Sequence, residues 1–134
     1  MNIISNNIKW IMLVSGVLTC TMLYAAISPE AALMSTFGDS ISGPLAEIVV
    51  RNWGALITLI GAFLIYGAFN PLHRSLILVF ASISKLIFVG LVLTIGNEYL
   101  GKAGIVVAFD SITVAIFITY LLTTRYSAKG IVRQ

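Results

Sequence analysis

Four ionisable residues, Glu47, Arg51, Lys85 and Asp110, fall within long apolar stretches of the chain. A charge at the centre of a bilayer costs at least about 2.5 to 3.5 kcal/mol, so groups of this kind must face one another or a polar cavity. Their signs sum to zero, two acids against two bases. Two kinds of chemistry are open to them. In one, mutual neutralisation forms a polar plug that fixes helix order and register. In the other, Arg51, Lys85 and Asp110 surround a cavity for a small ligand, a quinone or a proton, with Lys85 as the proton-handling group. By the helical rise, Arg51 and Asp110 each lie about 9 Å from the same boundary, which predicts a direct ion pair between them. Glu47 precedes Arg51 by one helical turn and shares its face. Lys85 lies about 16 Å from that boundary, too deep for its stem to reach either surface. It is expected to meet Asp110, Ser82, Ser84 or backbone carbonyls. Asn52, Thr58, Ser82 and Thr113 are the expected supporting polar residues.

The elements that must position these groups follow from composition. Of 134 residues, 59% are hydrophobic and 10% charged, and the mean hydropathy is +1.03. Soluble domains carry about 25% charged residues, and a chain this short buries too little surface to hide so much apolar material from water. Its solvent is lipid, which excludes a soluble nucleotide-binding enzyme, a disordered chain and a disulfide scaffold. Four apolar stretches are long enough to span a bilayer core, which takes about 20 helical residues. They cover residues 8–27, 45–69, 75–96 and 104–124. Tight turns around Asn70-Pro71-Leu72-His73-Arg74 and Asn97-Glu98-Tyr99-Leu100-Gly101-Lys102 predict antiparallel neighbours. Between the first two spans, Ser28-Pro29-Glu30 supplies a helix start, and Gly38 ends a short surface helix whose Leu33, Met34 and Phe37 are expected at the headgroup boundary. The fold class predicted is an all-α membrane protein, one antiparallel four-helix domain over 1–134. Each span carries an inward stripe at three-to-four spacing: Met12, Ser15, Thr19, Met22 and Ala26; Glu47, Arg51, Gly54, Thr58 and Gly61; Leu78, Ser82, Lys85, Val89 and Val92; Asp110, Thr113, Phe117, Tyr120 and Thr124.

Basic residues set the orientation, because positively charged flanks stay in the cytoplasm. Lys9, His73, Arg74, Arg125, Lys129 and Arg133 flank one side, and only Lys102 flanks the other, beside Glu30, Asp39 and Glu98. Both termini are therefore expected in the cytoplasm of a bacterium, with the chain in its inner membrane. The net charge of +3 matches anionic lipid headgroups and calls for no nucleic acid. Trp10, Tyr66, Tyr120 and Tyr126 are expected at the inner interface, Tyr24 and Tyr99 at the outer one. The first span is too long for a signal sequence and lacks a cleavage site after it. Cys20 is the only cysteine, so a dithiol relay within one chain is impossible. His73 has no second nitrogen or sulfur ligand nearby, so no metal site is predicted. No phosphate loop, nucleophile elbow or zinc-protease pattern occurs, and an enzyme would require residues that converge only in space.

Gly43-Pro44-Leu45-Ala46-Glu47, then Arg51-Asn52-Trp53-Gly54, then Arg74 and Asp110 resemble the small bacterial four-helix membrane proteins of the DoxX-like and related groups. The resemblance spans about Tyr24 to Leu122. It implies a four-helix membrane architecture and, for some relatives, association with quinol oxidases or thiol-linked redox complexes; the single cysteine departs from a thiol role. The residues themselves favour a non-enzymatic accessory or interaction subunit, without cofactor, meeting the bilayer, a membrane partner or further copies of itself. The alternative is the ligand, quinone or proton cavity around Arg51, Lys85 and Asp110.

Overall fold

The computed structural model describes residues 3–131, with side chains through Arg125. Arg133 and the side chains of Tyr126 and Lys129 lie outside the described residues. Helix follows helix: α1 (Ile3–Cys20), α2 (Leu23–Ile27), α3 (Pro29–Phe37), α4 (Pro44–Phe69), α5 (Pro71–Thr94), a single 3-10 turn (Asn97–Tyr99) and α6 (Leu100–Ile131). Four segments are long and apolar enough to cross a membrane: Ile3–Ile27, Pro44–Phe69, Pro71–Thr94 and Asn97–Arg125.

Punctuation in the sequence sets the helix ends. Pro44 and Pro71 open α4 and α5 at the first-turn position that a proline tolerates. Gly38 ends α3 with φ at 76°, donating its N–H to Met34 O, and Gly43 takes φ of 104° just before α4, conformations costly for residues with a Cβ. Ser28 precedes α3 as expected, but its hydroxyl makes no capping bond.

The first span departs from the expected unbroken helix. At Thr21 and Met22 the backbone tightens into three-residue hydrogen bonds, Thr21 N–H to Leu18 O at 3.2 Å and Met22 N–H to Thr19 O at 3.1 Å. The Thr21 hydroxyl also donates to Leu18 O, at 2.6 Å. A threonine hydroxyl competing for a backbone carbonyl bends a helix, and α2 resumes the path beyond it.

The four long segments close a ring: α1 packs on α4, α4 on α5, α5 on α6, and α6 on α1. Glycines bring α1–α2 and α4 together. A Cβ on Gly61 would lie 2.7 Å from Cys20 Sγ and 2.8 Å from Gly16 O; one on Gly54 would lie 2.6 Å from Ala26 N. Met12 likewise approaches Gly67, so the contacts succeed one another in opposite order along the two rods. Small residues at this spacing let helix backbones approach closely in lipid.

Apolar packing is concentrated at the two ends of the ring. Ile8, Met12, Leu64, Ala68, Ile77, Leu78, Ala81 and Phe117 form one core. At the other end, Ala25, Ala32 and Val50 form a second, and Val92, Ala103 and Val107 a third. The short helix α3 does not simply rest at the headgroup boundary. It packs on α2, α4 and α6, burying Ala32, and turns Phe37 into a ring cluster with Trp53, Phe88 and Tyr99 at centroid distances of 6.3, 6.4 and 5.8 Å. Aromatic rings in edge and tilted contact gain about 0.5 to 1.5 kcal/mol beyond the area they bury; Met34 alone of the three expected residues is largely exposed.

The glycine seam makes a direct prediction. Gly61→Ala should force α1 and α4 apart and cost about 1 to 3 kcal/mol, read as a shift in reversible detergent unfolding. Gly90→Ala, whose Cβ would meet nothing within 4 Å, should leave the midpoint near that of the wild type.

Candidate functional site

Lys85 on α5 and Asp110 on α6 meet in the middle of the ring. The Lys85 ammonium donates to Asp110 Oδ1 in a close ion pair, and it reaches Thr19 Oγ1 of α1 at 3.4 Å. The residues are only 6% and 8% exposed, so the protein shields both charges from most contact with lipid. The ring of Phe109 lies 5.8 Å from Lys85 Nζ, close enough for its face to add a weak attraction for the cation. Backbone arithmetic explains the match. Lys85 is nine residues before the end of α5 and Asp110 ten after the start of α6, so each lies about 14 to 15 Å from that end of the ring.

The expected Arg51–Asp110 pair is not formed. Arg51 instead donates from Nε at 2.9 Å and Nη2 at 2.6 Å to Glu47 Oε1, and from Nη1 to the carbonyls of Ala26 at 2.5 Å and Ile27 at 3.0 Å. Two physical reasons account for the correction. First, α6 begins at Leu100, a full turn before the predicted boundary at residue 104, which sets Asp110 deeper than Arg51. Second, α4 and α6 occupy opposite corners of a ring in which each packs on α1 and α5. The guanidinium fork takes the work available at its own depth: it binds the orphan carbonyls where α2 ends. Its side chain is 43% exposed and that of Glu47 53%, so the four charges form two separate pairs rather than one cluster.

The supporting residues divide in the same way. Asn52 is exposed. Thr58 and Thr113 return their hydroxyls to Gly54 O at 2.7 Å and Phe109 O at 2.8 Å, within their own helices. Ser82 is buried one turn before Lys85, and so is Ser15 one turn before Thr19. Among the described residues, neither hydroxyl has a protein hydrogen-bond partner.

A cavity of about 80 Å³ adjoins the ion pair on the side that carries α3. Thr19, Thr36, Ser84, Lys85 and Asp110 give it polar atoms, and Met22, Trp53 and Phe88 give it apolar walls. Sequence reasoning passed over Thr36, Met22, Trp53 and Phe88 as site residues. Met22 carried a signal, its place on the inward stripe of the first span; Thr36 and Phe88 carry none, and Trp53 stands two residues after Arg51 on a different face of α4. The cavity is about half the size of one that holds benzene, so a quinone ring does not fit it as it stands. Arg51 belongs elsewhere, to a groove of about 310 Å³ between the end of α2 and the start of α4, with Glu30 and Glu47.

Fold and site together define a small four-helix membrane protein built around a buried lysine–aspartate pair. No family model, curated protein or solved structure matches the chain.

Unequal consequences are expected for the two ion pairs. Lys85→Met leaves Asp110 uncompensated and should lower stability by about 3 to 5 kcal/mol, while Lys85→Met combined with Asp110→Leu should recover most of the loss. Glu47→Gln, at an exposed pair, should change it by less than about 1 kcal/mol. Reversible unfolding in mixed micelles reads all three.

Proposed function

We infer that the chain is a non-enzymatic accessory or interaction protein of the bacterial inner membrane. Its four helices form a rigid body, and its outward apolar surface meets a membrane partner or another copy of itself. The observation that carries this reading is the Lys85–Asp110 pair. The pair is closed off from lipid by α1, α5 and α6, which leaves a neutral core and an exterior dominated by exposed residues such as Leu59, Ile87 and Ile112. A body of this kind offers partners a shape and a surface.

The distribution of charge supports an orientation with both termini in the cytoplasm. Lys9 lies 4.7 Å from the ring of Phe69, and Arg74 donates to Gly67 O and Ala68 O at 3.1 and 3.0 Å. The basic flanks of α1, α4 and α5 thus gather at one end. Tyr66 and His73 join them there, with Oη and Nδ1 3.3 Å apart. At the α3 end stand Glu30, Asp39 and Glu98, with Lys102 against Gly38. The DoxX-like resemblance agrees with this reading in its architecture and in the membrane complexes of some relatives.

Site-specific photo-crosslinkers at positions 59, 87 and 112 in native membranes test the proposal. Adducts of one defined mass from one helix face are expected, with added terminal cysteines labelled only from the cytoplasm. Lipid adducts alone, together with a strictly monomeric purified protein, would overturn it.

A further inference from the structure

The accessory role asks nothing of the cavity beside the ion pair or of the two unpartnered serines, and both lie against the same two charges. On the α3 side, Asp110 Oδ1 is taken by Lys85, and among the described residues no protein donor reaches Oδ2. The cavity there, about 80 Å³ with Thr36 and Ser84 on its walls, exceeds the roughly 10 to 15 Å³ that one water needs and offers it several polar partners. On the opposite side, the hydroxyls of Ser15 and Ser82 extend the polar column by one helical turn. It ends there. Met12, Leu64, Leu78 and Phe117, each 0% exposed, fill the space between the column and the basic end.

We propose that Lys85 and Asp110 form a proton-exchange site reached by water from the α3 end alone, through the cavity beside Thr36 and Ser84, and sealed toward the basic end by Met12, Leu78 and Phe117. The step is simple in its balance. A hydronium ion in the cavity gives its proton to Asp110 Oδ2, forming one O–H bond, and leaves as water, while Lys85 keeps its own protons. The pair passes from neutral to a single positive charge. Thr19 Oγ1 remains as an acceptor for the ammonium, and the Phe109 face is near it.

Few other charges face the site. From α5 comes Lys85, from α1 the Thr19 hydroxyl, and from α3 the Thr36 hydroxyl. On α4, Glu47 and Arg51 are bonded to each other and to the end of α2. Glu98 and Asp39 stand at the α3 end, where Tyr99 Oη donates to Asp39 Oδ2 at 3.4 Å. Lys85 is therefore the single close charged partner of Asp110.

The composition permits a clean test, because the chain has only two aspartates, Asp39 and Asp110. Asp39 is exposed, and Asp39→Asn leaves one labelled side-chain carboxyl when the protein is grown with side-chain 13C-aspartate. Carbon NMR of this variant, reconstituted in liposomes in one orientation with different pH inside and outside, reads the site without disturbing the ion pair. The expected result is one upfield shift of the Asp110 carboxyl on acidification of the compartment facing α3, with no response to the other compartment. A resonance that does not move over the pH range in which the helices stay folded would overturn the proposal. So would one that follows the compartment at the basic end. Ser84→Cys in a Cys20→Ala background gives an independent reading with silver ion, a thiol reagent of about the size of water: it should modify the cysteine when added at the α3 side only, and modification from the basic end, or from neither side, would overturn the access route.

Discussion

Withdrawing an ammonium group from water costs several kcal/mol, and in lipid no solvent remains to share that cost. Lys85 meets it through Asp110, and the rest of the molecule is arranged so that the two groups can meet. The α5 and α6 helices must run in register, because their charges lie at the same distance from the connecting turn. The first span must cover them, because Thr19 supplies the third polar partner. Apolar cores then form at either end of the charged level, with Phe117 and Leu78 on one side and Val92 and Val107 on the other. A shift of one helical turn between α5 and α6 would displace the two charges from each other by about 5 Å.

Close helix approach is the second condition. The α1–α4 seam is lined by Gly16, Gly54 and Gly61, and the rods touch through backbone as well as side chains. Lipid tails are as apolar as leucine, so the attraction between helices rests on close packing and hydrogen bonds. The kink at Thr21 and Met22 lets the rod hug α4 near Gly61 and again near Gly54. Arg51 then fastens the end of α2 to α4 by holding the carbonyls of Ala26 and Ile27, much as Arg74 holds the end of α4 through Gly67 and Ala68.

Span number, span type and the inward placement of Lys85 and Asp110 were legible in the sequence, because hydropathy over a bilayer's width and the cost of a buried charge are strong signals. Partner choice was not. Hydropathy starts the fourth span at residue 104, four residues after α6 begins at Leu100, and so puts Arg51 and Asp110 at one level; depth along a helix also says nothing about which corners of a ring are adjacent. The break at Thr21 has no glycine or proline to announce it. The inward turn of Phe37 escaped for a different reason: a nine-residue helix with mixed faces fits a headgroup surface and a protein cap equally well, and only the rings of Trp53, Phe88 and Tyr99, distant in sequence, decide between them. The cavity was invisible for the same reason, since its walls come from five helices.

The charged partners both belong to the carboxyl-terminal hairpin, α5 and α6, joined by the single turn Asn97–Tyr99. Neutralisation is thus local in the chain, across 25 residues, and α1 adds only the Thr19 hydroxyl to it. During biogenesis this hairpin can leave the translocon for lipid with its two deeply placed charges already satisfied by one another, its remaining charges lying toward the ends of the helices. The amino-terminal half, whose own charges stay near the surface, can insert independently and dock later along its glycines.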